Sequence, residues 1–254
     1  MNHYKIDKSA KKVINNYFNL DLGGKKVACP YFISKRIERG GLRVMVGKGS
    51  PEEIVHEVKV WAKLKGVVLE EMSERQIREF MVERNIGIDC SGFVAHVLDS
   101  YLQVLFGKRL SKILKYPDNS LFAKIRRTLR PIENIGADNL TSLLNCIKIN
   151  DLGKIMPGDL IRAKGPVKNA HHVALITDIY KDDKGNVEKF AYVHSHRYYE
   201  KDHGVRKGIV IITDIKKPLK DQEWHDHING RNYMLEDLLV DYKDNGIRRL
   251  RFLA

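Results

Sequence analysis

The hydrophobic pattern of the chain changes period once, near Pro157, and that change constrains the fold more than any other feature. Before it, apolar residues recur three and four apart: Ala10, Val13, Ile14 and Tyr17; Ile54, Val58 and Trp61; Ile77, Phe80 and Met81; then Phe93, Val94, Val97, Leu98, Tyr101, Leu102 and Leu105. Each set lies on one face of a helix. After it, runs rich in valine and isoleucine cover 158–162, 173–180, 187–196, 208–213 and 247–252, with a turn at Asp182-Asp183-Lys184-Gly185. Helices first and an antiparallel meander second predict an α+β fold. A length of 254 residues suits one large domain or two small ones, and we read 1–254 as one.

Local signals sharpen the helical half. Ser50-Pro51-Glu52-Glu53 combines a capping serine, a proline at the first helical position and a glutamate that completes a capping box. Ser73 and Gln76 repeat the box, and Gly87 ends the helix that follows. A first helix is expected over 9–19, a strand over 42–46 after a hairpin or loop at Gly40-Gly41, and a short helix over 140–147. Asp89 is placed to cap a helix over 90–106.

The net charge is +13, and part of the excess is local. Residues 107–131 contain Lys108, Arg109, Lys112, Lys115, Lys124, Arg126, Arg127 and Arg130 against Asp118 alone. Such a basic helical segment favours an anionic partner (nucleic acid, a membrane surface or a wall polymer) or is a solvated face that keeps the protein soluble. No apolar run approaches the roughly 20 residues of a membrane span. The polar N-terminus has no signal-peptide pattern, which implies a cytoplasmic protein unless another export route operates.

Three cysteines, Cys29, Cys90 and Cys146, with no Cys-x-x-Cys pair, argue against a disulfide framework and a thiolate zinc site. Each is a core residue or a nucleophile. Ile88-Asp89-Cys90-Ser91-Gly92-Phe93 is too polar for an ordinary core segment. With Asp89 as the cap, Cys90 occupies a first helical turn, where the dipole favours an anion and lowers a thiol pKa. The free N–H groups there suit an oxyanion, and small Ser91 and Gly92 would let a substrate backbone approach.

A thiol nucleophile needs a base, and the base needs an orienting group. His172 is the candidate base. His171 beside it points to the opposite face of the strand, so at most one of the two faces Cys90. His194 and His196 share a face of the next strand, and either can bond the second nitrogen of His172.

These residues resemble the NlpC-type cell-wall cysteine peptidases. The resemblance lies in Asp89-Cys90-Ser91-Gly92-Phe93, Pro157-Gly158-Asp159-Leu160 and His172-Val173-Ala174-Leu175. It covers about half the chain and implies a papain-like fold, with N-terminal helices packed on an antiparallel sheet. It implies cleavage of peptide bonds in peptidoglycan stem peptides through an acyl-enzyme, with no cofactor. Cys90 is then the nucleophile, His172 the base and His194 the residue that orients it. The family's Pro-Tyr pair, whose hydroxyl lies near the oxyanion, is matched by Pro30-Tyr31, far ahead of Cys90; residues 34–87 then read as an insertion. Ser91 and His196 are the supporting residues.

The insertion is expected to pack on the core through Ile54, Val58, Trp61, Ile77 and Phe80. An acyltransferase acting on an amine or lipid acceptor would keep the same nucleophile. An inactive polyanion-binding protein using the basic segment is the reading from another class. His203, His225 and His227 are a weak metal candidate beside the blander reading of a polar loop, and no metal is expected.

Overall fold

The computed structural model describes residues 2–34, 43–165, 171–199 and 202–254. In chain order, β1 (Asn2–Lys5) and α1 (Lys8–Phe18) precede a small hairpin, β2 (Leu20–Leu22) and β3 (Lys25–Val27). Next come α2 (Pro51–Lys65), α3 (Glu74–Glu83) and α4 (Cys90–Phe106), then the short α5 (Leu110–Ile113), α6 (Leu121–Leu129) and α7 (Ala137–Thr141). The remainder is mostly sheet: β4 (Cys146–Ile149), β5 (Leu160–Lys164), β6 (His171–Lys181), β7 (Val187–His196), β8 (Gly204–Ile211) and β9 (Glu223–His225), then α8 (Tyr233–Val240) and β10 (Gly246–Leu250). The expected α+β class is the observed one.

Both expected capping boxes form, at Ser50/Glu53 and Ser73/Gln76. Gly66 ends α2 and Gly107 ends α4, both in the left-handed conformation that glycine adopts without a Cβ penalty. The structure departs from the expectations in several places, the first being that α3 ends at Glu83 with Arg84 as its cap, before Gly87. Residues 43–46 form a 3-10 turn rather than a strand, closed by the Gly47 N–H on the Val44 carbonyl at 3.1 Å with Gly47 at φ +74°. Leu42 and Gly40-Gly41 lie outside the described residues. The helix expected over 140–147 ends at Thr141, and Cys146 instead begins a strand paired with Leu250. The polar N-terminus adds a strand to β6, with Tyr4 opposite Ile179.

The sheet runs β4-β10-β5-β6-β7-β8-β9, with β1 also on β6 and every pairing antiparallel. Both faces are covered. Val173, Leu175, Val193 and Val205 join the helices α1 to α4 in one buried cluster. Ala174, Ile176, Phe190, Tyr192 and Val210 join Met234 and Leu238 of α8 in another. Each fully buried Phe, Leu or Ile there contributes about 1.5–3 kcal/mol. Ile54, Val58, Ile77 and Phe80 are buried in the first cluster together with Phe93 of α4, and Trp61 packs against it half-buried.

One detail of the sheet positions the site. β6 pairs with β5 from His171 onward, but with β7 only from Leu175 opposite Val193. The first residues of β6 therefore have ladder partners on one side only. The N-terminus of α4 lies against that unpaired edge, where the Cys90 thiol meets the His171 carbonyl.

Candidate active site

The start of α4 is fixed by a buried polar knot. Asp89 Oδ1 accepts from the Gly92 N–H at 2.6 Å and from Lys48 Nζ at 2.9 Å. Lys48 Nζ also donates to Ser91 Oγ at 2.6 Å and to the Ile135 carbonyl at 2.9 Å. All three of its donors are used, as a lysine only 6% exposed requires. Ser91 Oγ donates in turn to Asp89. A Cβ on Gly92 would lie 2.8 Å from the Gly47 carbonyl oxygen and 3.0 Å from Lys48 Cδ. Ser91 and Gly92 are small because the loop carrying Lys48 packs on them. The expectation that they make room for a substrate is corrected.

Cys90 sits at the first position of α4, 6% exposed, and its thiol donates to the His171 carbonyl at 3.8 Å. Burial and the Asp89 carboxylate push the thiol up to about 12, against the opposing pull of Lys48 and the Val173 and Ser91 N–H groups. The expected lowering of this thiol is therefore absent in the resting structure: desolvation outweighs the helix terminus. Cys146 is likewise raised to about 12 by burial, and Cys29 is raised as well.

Three buried histidines from β6 and β7 meet beside it. His172 Nε2 lies 2.9 Å from His194 Nδ1, and His194 Nε2 lies 2.9 Å from Asp226 Oδ2. Tyr199 and Arg206 also donate to Asp226, at 2.8 Å from the hydroxyl and at 3.0 and 2.8 Å from the guanidinium. Burial raises the Asp226 carboxyl, but His194 and Arg206 outweigh it and hold it below the usual range. Burial, despite Asp226, lowers His194; burial, then His196 and His194, drives His172 well below the ordinary imidazole value.

These states dictate where the protons sit. An ionised carboxylate only accepts, so His194 carries its proton on Nε2 and presents the lone pair of Nδ1. His172 must then donate from Nε2, which leaves the lone pair on its Nδ1. That nitrogen makes no hydrogen bond among the described residues. The chain Asp226–His194–His172 thus holds a neutral imidazole in the tautomer of a base.

The expected line of Cys90, His172 and His194 is present in its second half. The thiol faces the His171 carbonyl, and no hydrogen bond joins it to the His172 ring. His196 makes no bond with His172; their rings meet edge-on at 4.5 Å, while His196 Nε2 donates to Asp237 Oδ2 at 3.2 Å. His171 turns to Asp138, 3.7 Å from its Nδ1.

Tyr31 is close despite its distance in sequence. Pro30-Tyr31-Phe32 runs beside Ile88, with the Ile88 N–H on the Pro30 carbonyl at 3.0 Å. Burial, then Cys90 and Asp89, raise the Tyr31 phenol, which remains a protonated donor. Its hydroxyl makes no hydrogen bond among the described residues. Tyr31 also lines a groove of about 930 Å³ with Phe32, Val44, Trp61, Arg84 and Arg197.

Two of the three histidines weighed for a metal have other partners: His203 Nδ1 accepts the Tyr31 N–H and His225 pairs with Glu223. Among the described residues no group of three metal-ligating side chains gathers. Sequence reasoning missed Lys48, Asp226 and Asp237. In the sequence Asp226 stands in a polar loop between Trp224 and Asn229, and Lys48 is one cation of a basic chain, so neither carries a signal of its own. Compared with protein-family models, curated proteins and solved structures, the chain matches none of them.

Proposed function

We propose that the protein is a cysteine hydrolase of papain-like fold that cleaves peptide or amide bonds, with stem peptides of peptidoglycan as the favoured substrate. The observation that carries this reading is the buried chain Asp226–His194–His172, which leaves one free lone pair on His172, the residue after the His171 carbonyl that the Cys90 thiol meets at a helix start. In the resting state both partners are neutral. On substrate binding the thiol leaves the His171 carbonyl, and its proton passes to His172 Nδ1 as sulfur attacks the carbonyl carbon. The Ser91 N–H and the Tyr31 hydroxyl are the candidate donors to the oxyanion. As the C–N bond breaks, His172 returns the proton to the leaving amine; water, activated by the same nitrogen, then hydrolyses the thioester.

The groove beside Tyr31 supports the substrate class. Its apolar wall of Phe32, Val44 and Trp61 and its mixed charges, Arg84 and Arg197 with Glu57 and Glu83, suit a peptide that carries both carboxylates and amines. The test is mass spectrometry of muropeptides incubated with wild type, Cys90→Ala, His172→Gln and His171→Gln. Cleavage by wild type and His171→Gln only is expected. Equal cleavage by wild type and Cys90→Ala, or loss in His171→Gln with retention in His172→Gln, would refute the assignment.

A further inference from the structure

The basic segment holds a second candidate surface, unrelated to the thiol. In α6 not one residue is buried, and Leu121 is 75%, Phe122 82%, Ile125 51% and Leu129 73% exposed. At about 100° per residue these four fall within an arc of about 100°. Ala123, Arg127 and Arg130, on the opposite side, are the partly buried residues. The Arg127 guanidinium donates to the Asp118 carbonyl at 2.7 Å and stacks on the Tyr116 ring at 4.6 Å, so it ties that side to the body. The apolar arc is thereby turned outward.

The charges complete the pattern. Lys124 borders the arc on one side and Arg126 on the other, and both are exposed. Lys108, Lys112 and Lys115 add exposed cations in the preceding segment. Long cationic side chains flanking an outward apolar stripe match the boundary between acyl chains and phosphate headgroups, where the stripe sinks in and the cations rise to the phosphates. Nucleic acid offers the cations a partner but gives Leu121, Phe122 and Leu129 no reason to face outward. A second copy of this chain offers the stripe a partner but repels the cations.

We propose that α6 is an interfacial anchor that seats the protein on an anionic phospholipid surface. No helix of the described residues is long and apolar enough to cross a membrane, so the helix lies in the surface plane. Nine residues give a reversible attachment that needs both apolar insertion and charge.

The test is flotation of the full chain with vesicles of phosphatidylcholine alone or mixed equally with phosphatidylglycerol, beside a DNA duplex in a parallel binding assay. Wild type should float with the mixed vesicles and stay behind with phosphatidylcholine. Leu121→Ser/Phe122→Ser should weaken vesicle binding at least about tenfold. Lys124→Gln/Arg126→Gln should weaken it by about fivefold for each charge removed. These side chains touch no core, and an unchanged circular dichroism spectrum verifies the fold of each variant. Three results overturn the proposal: no flotation with the mixed vesicles; flotation indifferent to the apolar pair; or a dimer in sedimentation that the apolar pair abolishes while vesicles are ignored. Tight DNA binding that survives Leu121→Ser/Phe122→Ser, without flotation, would assign the segment to nucleic acid instead.

Discussion

β7 presents two histidines two positions apart on one face, His194 and His196, and each is buried against its own aspartate. The pairs look alike: His194 meets Asp226 at 2.9 Å and His196 meets Asp237 at 3.2 Å. Only His194 reaches His172 with a nitrogen; His196 offers it a ring edge. Asp226 is also held by Tyr199 and Arg206, whereas Asp237 belongs to α8 and, among the described residues, shares its carboxylate with His196 alone. A buried imidazole–carboxylate pair is therefore not a site by itself. What distinguishes the first pair is its connection to a third group whose free nitrogen it dictates.

The largest expected effect comes from Asp226→Asn. The Arg206 guanidinium cannot accept, so the amide must turn its oxygen toward Arg206 and its NH₂ toward His194. His194 would then accept on Nε2 and donate from Nδ1, and His172 would have to accept on Nε2 and carry its proton on Nδ1. The free lone pair on His172 Nδ1 disappears. The proposed hydrolysis should fall by about 10²–10⁴-fold in kcat with little change in KM, the scale of a wrong tautomer in a catalytic triad. If Asp226→Asn retains wild-type kcat, His194 does not set the tautomer of His172.

A third carboxylate, Asp89, answers to a cation rather than an imidazole. Lys48→Met strands it in the buried knot at the start of α4, at a cost of about 3–5 kcal/mol in unfolding free energy. Urea denaturation measures it; a change below about 1 kcal/mol would mean that the pair is solvated and not a support of the helix start.

The chain of His172 and His194 also predicts a pH dependence. His172 and His194 both lie below their ordinary value in the fold. An unfolded chain therefore binds protons that the folded chain refuses, and stability is complete above about pH 6.5 and lost as pH falls below it. Each group contributes up to about 1.4 kcal/mol per pH unit. Thermal unfolding in steps from neutral to mildly acid pH should show a falling midpoint, with a shallower fall in His172→Gln. An unchanged slope in that variant would place the titration elsewhere.

Asp237→Asn should have the smallest effect on rate, under about tenfold in kcat, because His196 donates nothing to His172. Its cost falls on stability instead, about 1–3 kcal/mol for a weakened buried hydrogen bond. A loss of kcat matching that of Asp226→Asn would erase the distinction between the two pairs.

What the sequence discloses follows the range of the interactions. α4 was legible from end to end because its cap Asp89, its three- and four-residue spacing and its terminal Gly107 are all local. Both capping boxes were legible for the same reason. Residues 140–147 misled because leucine spacing suggests helix, while the pairing of Cys146 with Leu250 is set by residues at the far end of the chain. β1 escaped because a strand of four exposed residues carries no alternation to read. At the site, Cys90, His172 and His194 stand out as residue types in a pattern. Lys48, Asp226 and Asp237 are ordinary surface types that only the folded chain buries. The thiol's environment was misjudged because a helix terminus is visible in sequence and the depth at which it is buried is not.

The position of Asp226 in the chain has a consequence for biosynthesis. A ribosome makes Cys90 well before Asp226, which lies on the segment that follows β9. Until that segment docks, His194 has no carboxylate to fix its proton, and His172 is free to hold its own on either nitrogen. The nascent chain thus carries its thiol through synthesis before the tautomer of His172 is fixed, which happens only when the segment after β9 docks Asp226 on His194.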